Sequence, residues 1–432
     1  MTSSGEAPLL PGGVRDRVGG EARALRQAQE RLLHLFATWG YQEVMTPVFE
    51  FLEVFDDQRG FPRENLYKFF DQRGRILALR ADMTMPVARL AATRLRHEAL
   101  PLRLGYAATV YRQKGEGRGE SHEINQAGAE LIGLGAPLGE AEILALAVEA
   151  IQALEIEDYY LSLGHMGLFQ GLAATANLNA GEITLLQEAL ANRDFVAYGQ
   201  VLAQIDKAER RTRELKELPF WRGQPEEVLK KAQERCANEQ GRQALAELQG
   251  ILAHLYQLKP EARVLLDLGL LRRPAYYTGL VFEGYAQGLG RPILGGGRYD
   301  DLLSSFGFQA PAVGFGFLLD GVLPFLQTRT PARLDYLLLA SPSNWGRAGA
   351  KAGSLRQRGF SVVVFETTLS LDKTNLALPP EVEKFLRAHR PGKVLYYGDA
   401  GIRDLTGSLV PDRPGERAAG RELPTLAVEG IH

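Results

Sequence analysis

The chain is 432 residues long, enough for two or three domains and a large buried core. Hydrophobic residues make up 45% and charged residues 24%, a balance that excludes disordered, collagenous and coiled-coil classes. The 50 Lys and Arg nearly cancel the 52 Asp and Glu, and a net charge of −2 supplies no bulk field for non-specific nucleic-acid binding. The one cysteine, Cys236 in the polar run KKAQERCANEQ, cannot pair within the chain and gives no sign of an oxidising compartment. No apolar run reaches the roughly 18 residues of a membrane span. MTSSGEAPLLPGGVRD lacks the charged-then-apolar order of a signal peptide, so a cytoplasmic location is expected.

In chain order, Leu25, Ala28, Leu32, Leu35, Phe36 and Trp39 recur at three- and four-residue steps and predict an amphipathic helix. Gly40 is its left-handed stop. YQEVMTPVFEFLEVF opens as a strand at Tyr41, Val44 and Met45, and Pro47 confines it to an edge. LYKFFDQRGRILALR reads as a hairpin around Gln72-Arg73-Gly74. LRLGYAATVYRQ and INQAGAELIGL form a second strand pair across the Gly-rich KGEGRGESHE, and residues 139–155 form a helix with Ile143, Ala147, Ile151 and Leu154 on one side. From 167 to 259 the helical periods predict an all-helical insertion. Strands return at ARVLLDLGLL, YYTGLVFEGYA and RPILGGGRYDDLL, with a helix in AVGFGFLLDGVLPFL.

After QTRTPAR, the runs LDYLLLA, SVVVFE and KVLYYG alternate with helical NWGRAGAKAGSLRQRG and PPEVEKFLRAH as a small β-α-β domain with a parallel sheet. The tail beyond Leu409 is Pro/Gly/Arg-rich and expected to be flexible. Antiparallel strands followed by helices place the main body in the α+β class. The expected division is 1–166 and 260–328 as two parts of one domain, 167–259 as the helical insertion and 333–432 as the small C-terminal α/β domain.

The seven histidines show no His-x-x-x-His spacing, and there is no Walker loop, nucleophile elbow or complete dinucleotide pattern. Polar residues inside apolar strands are the stronger signal. In LRADMT, Arg80, Asp82 and Thr84 alternate as on a strand and are expected to share a face. Arg112 ends one strand, while Gln126, Gly128 and Glu130 share a face of the next. Arg272, Arg273, Tyr276 and Tyr277 lead into a further strand, and the glycines of GGGRYDDL would let a ligand approach bare backbone. Carboxylate and amide oxygens suit an ammonium, arginine suits a carboxylate, and a second carboxylate suits a polar side chain: together, the chemistry of an amino acid. The plainer alternative is that these residues line the solvated face of half-buried strands.

GVRD, LRADMT, YR with the following NQAGAE, YYTGLVFE, GGGRYDDL and AVGFGF occur in the order in which histidyl-tRNA synthetases carry such motifs. Over roughly residues 10–325 the chain resembles that family, and more closely its non-catalytic paralogues, the regulatory-subunit family of ATP phosphoribosyltransferase. The resemblance implies the class II synthetase fold, an antiparallel sheet flanked by helices with a helical insertion, in a homodimer. It departs from the synthetases where ATP would bind. Gln113 and Lys114 follow Arg112 where an acid is expected, Asp320 and Gly321 stand in the Glu-Arg positions of the third motif, and Pro274-Ala275 replace Leu-Asp before Tyr276. A missing guanidinium against a triphosphate lowers the rate by a thousandfold or more, on the order of several kcal/mol.

The resemblance therefore implies a regulatory subunit that is not itself an enzyme and takes no cofactor or metal. It would bind the short-form catalytic subunit in a hetero-oligomer, take L-histidine as effector, and be required for activity and feedback inhibition. By the same likeness Asp82 and Gln126 hold the ammonium with help from Thr84, and Arg112 meets the carboxylate. Glu130 faces the imidazole, Tyr276 and Tyr277 wall the pocket, and Arg272 stands at its rim. The alternative is an active histidine-tRNA ligase.

Overall fold

The structure, a computed structural model, describes residues 10–55, 62–113, 121–205, 212–236, 238–272, 276–326, 334–367, 378–399 and 401–406. The chain forms two compact units, residues 1–327 and 328–432.

In the first unit, helix α1 (Gly19–Thr38) buries the stripe Ala24, Leu25, Ala28, Leu32 and Phe36. The chain turns away through Gly40 at φ +78°. Strand β1 (Gln42–Glu43) is only two residues long, shorter than the alternation at Tyr41, Val44 and Met45 suggested. Met45 is 86% exposed. Strands β2 (Phe49–Phe51), β3 (Lys68–Phe70) and β4 (Ile76–Leu79) form a small antiparallel sheet in the order β2-β4-β3. Its hairpin turn is closed by Asp71, whose Oδ1 accepts from the backbone N–H groups of Arg73 and Arg75 at 2.9 Å each.

The strand reading of LRADMT needs correction. β4 stops at Leu79, and helix α2 (Thr84–Thr93) begins within the motif. Arg80, Asp82 and Thr84 thus lie on a strand-to-helix turn and do not share one sheet face.

Next come β5 (Leu102–Tyr111), β6 (Glu123–Ile132), α3 (Leu138–Ala153) and β7 (Tyr159–His165). The stretch expected to be all helical contains α4 (Met166–Thr175), α5 (Ala180–Ala191), α6 (Phe195–Ile205) and α7 (Arg213–Glu217), then α8 (Pro225–Arg235) and α9 (Glu239–Leu258). It also contributes a strand, β8 (Arg222–Gly223), which pairs with β9 (Val264–Asp267) at the sheet edge. A two-residue strand leaves no periodicity to read. β10 (Leu280–Ala286), β11 (Leu294–Arg298), β12 (Ala312–Leu318) and the short α10 (Leu319–Val322) complete the unit.

The helix expected over AVGFGF is therefore a strand. Val313, Phe315 and Phe317 alternate with Gly314 and Gly316, a period of two that puts all the bulk on one face. The nine-stranded sheet runs β1-β5-β6-β12-β11-β10-β7-β9-β8. It is antiparallel except at β1·β5 and β7·β9.

This register sorts the two faces. On one, Phe315 meets Phe36 of α1 edge to face at 6.0 Å. Arg298 of β11 pairs there with the fully buried Glu140 of α3. Such a buried pair fixes how the helix seats on the sheet more than it adds net stability. On the other face, Gly128 of β6 lies opposite Gly316 of β12, which lies opposite Gly295 of β11. Bulk is absent there, and the sheet carries a trough.

The second unit contains β13 (Tyr336–Ala340), α11 (Trp345–Gln357), β14 (Val362–Glu366), α12 (Pro380–His389), β15 (Lys393–Gly398) and β16 (Gly401–Asp404). The order is β14-β13-β15-β16, parallel except for the antiparallel β15·β16. Leu338, Ala348 and Leu355 pack in the layer with α11, and Leu337, Val382 and Val394 in the layer with α12. The β-α-β reading holds, with β16 added; the tail beyond Leu409 lies outside the described residues. Among those described, no helix is long and apolar enough to cross a membrane.

Candidate functional site

The trough gathers around Glu130, which is 1% exposed. Its Oε1 accepts from Thr84 Oγ1 at 2.9 Å and from the Tyr106 hydroxyl at 3.4 Å, and its Oε2 accepts from the Tyr299 hydroxyl. Three elements supply these donors: the start of α2, strand β5 and the residue after β11. Only glycine admits this arrangement at Gly314, where a Cβ would overlap Glu130 Oε2.

Beside it sits Asp82, also buried. Its Oδ1 accepts from the Met85 backbone N–H at 3.2 Å, and its Oδ2 from the Tyr276 hydroxyl at 3.3 Å. The Tyr276 ring lies 4.8 Å from that of Tyr277 and 5.7 Å from that of Tyr299. Arg112 is anchored by Nε on the Ala81 carbonyl at 2.8 Å, leaving its Nη groups without a hydrogen-bond partner among the described residues. The Gln126 amide, nearly buried beside Gly316, likewise has no hydrogen-bond partner among them.

Arg80 does not join the group. Its guanidinium donates to the carbonyls of Thr109 at 2.8 Å and Thr46 at 2.9 Å, tying the segment between β1 and β2 to β5. Arg272 stands apart from Glu130, paired with Glu283 of β10 at 3.0 Å. The glycine run is not bare backbone either: a Cβ on Gly295 would overlap Arg272 Nη1, and the Tyr277 ring covers Gly297. The glycines make room for the protein's own side chains. Arg273 lies outside the described residues.

Sequence reasoning passed over Tyr106, Tyr299 and Glu283. A signal existed for each. Tyr106 is a hydroxyl inside an apolar strand, Tyr299 follows the glycine run directly, and Glu283 shares the parity of Val281 on a buried strand.

Burial dominates the electrostatics. Desolvation pushes the Glu130 carboxyl up to about 8, against the hydrogen bonds from Tyr299 and Thr84. It pushes Asp82 up to about 6, with the Arg112 guanidinium pulling the other way. The same burial raises Tyr106, Tyr276 and Tyr299 well above the usual phenol range. Two buried acids that resist ionisation gain from a cationic ligand that would compensate their charge.

The departure from the third motif is built differently. Asp320 accepts from the backbone N–H of Asn125 at 2.6 Å and from its side-chain amide at 3.2 Å, and pairs with Arg17. Gly321 follows without a side chain; Lys114 lies outside the described residues. Among the described residues no group of three or more His, Cys, Asp and Glu could hold a metal ion. A cavity of about 330 Å³ between α8 and α9 is lined by Leu229, Leu252 and Tyr256 with scattered polar groups, and gathers no comparable set of donors.

A family model described as histidyl-tRNA synthetase matches residues 13–322. The chain is 42% identical over 358 residues to the ATP phosphoribosyltransferase regulatory subunit of Moorella thermoacetica, covering 82% of this chain and 91% of that one. To the protein of the same name from Symbiobacterium thermophilum it is 40% identical over 401 residues, covering 91% and 98%. Among solved structures it is similar to an ATP phosphoribosyltransferase regulatory subunit/histidyl-tRNA synthetase from Bacillus halodurans. That match has a TM-score of 0.78 at 30% identity and covers 90% of this chain and 97% of that one. A histidyl-tRNA synthetase from Nostoc sp. shares the fold, with a TM-score of 0.73 at 20% identity over 92% and 95% of the two chains.

The raised Glu130 carboxyl makes stability depend on pH in a stated direction. The native state keeps a proton that the unfolded chain, titrating near 4.5, has released. Its contribution is complete below that value and is lost as pH climbs towards 8. Between pH 6 and 8, beyond most of the Asp82 titration, the wild-type chain should lose up to about 1.4 kcal/mol per pH unit relative to Glu130→Gln. Urea denaturation at pH 6, 7 and 8 reads this, and parallel profiles would show that Glu130 titrates as an ordinary carboxyl.

Proposed function

The chain belongs to the family of ATP phosphoribosyltransferase regulatory subunits, built on the histidyl-tRNA synthetase fold, and from that premise we propose that it regulates the first step of histidine biosynthesis without catalysing it. In this reading it associates with the short-form catalytic subunit, is required for that subunit's activity, and confers feedback inhibition by L-histidine.

The observation that carries the reading is an asymmetry. The trough keeps acids, an amide and an arginine fit for an amino acid, while Asp320, bound to Arg17 and Asn125, presents a carboxylate where a triphosphate would need a cation. Asp82 and Gln126 receive the ammonium, with Thr84 beside them. Arg112, its Nε already fixed on Ala81, offers its Nη groups to the carboxylate. Glu130 accepts from the imidazole and sets its orientation through the three hydroxyls that hold it. Tyr276 and Tyr277 wall the ring and Arg272 lies at the rim. Occupancy of the trough and activity of the catalytic subunit are then two sites joined by a coupling free energy.

A homodimer fits the same account. β1 is the edge of the large sheet, Met45 just after it is exposed, and Phe49, Phe51 and Phe70 of the small sheet are exposed too, Phe70 by 72%. An edge strand beside an apolar patch of this kind is the surface a second copy covers.

L-histidine should bind, and Glu130→Ala should weaken it roughly ten- to a hundredfold, the cost of about 1.5–3 kcal/mol for one charge-assisted partner in a buried pocket. Calorimetric titration measures this, and an unchanged affinity would put the ligand elsewhere. The competing reading, a histidine-tRNA ligase, takes its support from the synthetase family match. Histidine-dependent exchange of pyrophosphate into ATP separates the two: none is expected, and exchange at a synthetase-like rate would falsify the regulatory assignment.

A further inference from the structure

Arg272 is oriented by a chain of hydrogen bonds that starts outside the trough. Its Nη1 donates to Glu283 Oε1 at 3.0 Å and to the Phe282 carbonyl at 3.2 Å, which lays the guanidinium over Gly295. The other Glu283 oxygen, Oε2, accepts from the Tyr285 hydroxyl. That hydroxyl in turn accepts from Arg193 Nη2 at 3.4 Å, while Arg193 Nη1 donates to Asp267 at 3.2 Å. Hydrogen bonds link Arg193 through Tyr285 to Glu283, which accepts from Tyr285 on one oxygen and from Arg272 on the other. Arg193 belongs to the turn between α5 and α6, so this turn is linked to the Arg272 guanidinium.

The backbone at Arg193 points the same way. The Asp194 N–H bonds the Ala189 carbonyl and the Arg193 N–H bonds the Leu190 carbonyl, the two hydrogen bonds that close a helix with a left-handed residue. Arg193 is that residue, at φ +55°. Glycine takes this conformation without strain, and an arginine does not. Of the non-glycine residues with positive φ, Glu155, Asn177, Arg193 and Arg390, it is Arg193 whose side chain bridges Asp267, Tyr285 and Glu283.

We propose that Arg193 is a positioning residue: through Tyr285 and Glu283 it holds Arg272 flat over Gly295, so the α5–α6 turn sets how the rim guanidinium is presented to a ligand in the trough. That this ligand is L-histidine rests on the function proposed above. Arg193 touches no ligand itself and acts only through the three side chains between.

Two variants cut the chain differently. Arg193→Gly removes the first donor and eases the left-handed turn. Tyr285→Phe removes the middle hydroxyl without changing charge and keeps the ring that stacks on Tyr160 at 5.1 Å. The full-length wild type, both variants and the double variant are titrated with L-histidine in the presence of the catalytic subunit, and their melting temperatures are recorded. Each single variant should bind roughly three- to tenfold more weakly. The double variant should be no weaker than the worse single one, because both break one chain. Arg193→Gly should melt at or above the wild-type temperature. Unchanged affinity in both variants, with the wild type binding, overturns the relay alone, as does affinity that falls only in step with melting temperature. A wild type that does not bind histidine overturns the reading on which the relay rests.

Discussion

A carboxyl group withdrawn from water needs donors, and the fold of the first unit supplies them to Glu130. Three hydroxyls reach it from three separate elements: Thr84 at the start of α2, Tyr106 on β5 and Tyr299 after β11. The sheet beneath must lack side chains for the acid to lie there, which is why Gly314 stands opposite it. The bulk removed from that face appears on the other, as Phe315 and Phe317 packed towards the helices. The strand register, the glycine pattern and the strand-to-helix turn at Asp82 are consistent with one requirement, a buried acid with its partners in place.

The second acid gives the trough its character. Asp82 and Glu130 both titrate above the usual carboxylate range because burial outweighs their hydrogen bonds. The Asp82 carboxylate pushes Glu130 further up, and Arg112 supplies the nearby positive charge on the Asp82 side. In the proposed function a small zwitterion with a basic side chain complements such a site. A nucleotide triphosphate does not, least of all beside Asp320, which is already committed to Arg17 and Asn125. In the proposed function the chain acts as a receptor, provided that occupancy is passed to another chain.

Much of this was legible in the sequence, for physical reasons that differ by element. The helix through Leu32 and Phe36, the Gln72-Arg73-Gly74 hairpin and the β-α-β order of the second unit announce themselves by periodicity and turn chemistry. LRADMT did not, because a three-residue alternation is as compatible with a turn entering a helix as with a strand; the cap that Asp82 offers the Met85 N–H settles it. AVGFGF misled because glycines hide a period of two when the facing bulk is read as helical apolarity. Asp82, Thr84, Glu130, Tyr276 and Tyr277 meet as one cluster, whereas Arg272 is held off by Glu283. Tyr106 and Tyr299 were missed because a tyrosine in an apolar strand looks like core until a buried acceptor is found beside its hydroxyl. The relay from Arg193 could not be read at all: it joins residues 193, 283, 285 and 272, whose proximity only the folded chain creates.

The proposed function requires transmission from this chain to a partner. Activity of a short-form ATP phosphoribosyltransferase catalytic subunit, measured alone and with this chain, each with and without L-histidine, tests it most directly. The expected result is little activity alone, activity restored on mixing, and inhibition of the mixture by histidine that in Glu130→Ala needs roughly ten- to a hundredfold more histidine. Catalytic activity and histidine sensitivity that are the same with and without the chain would contradict it.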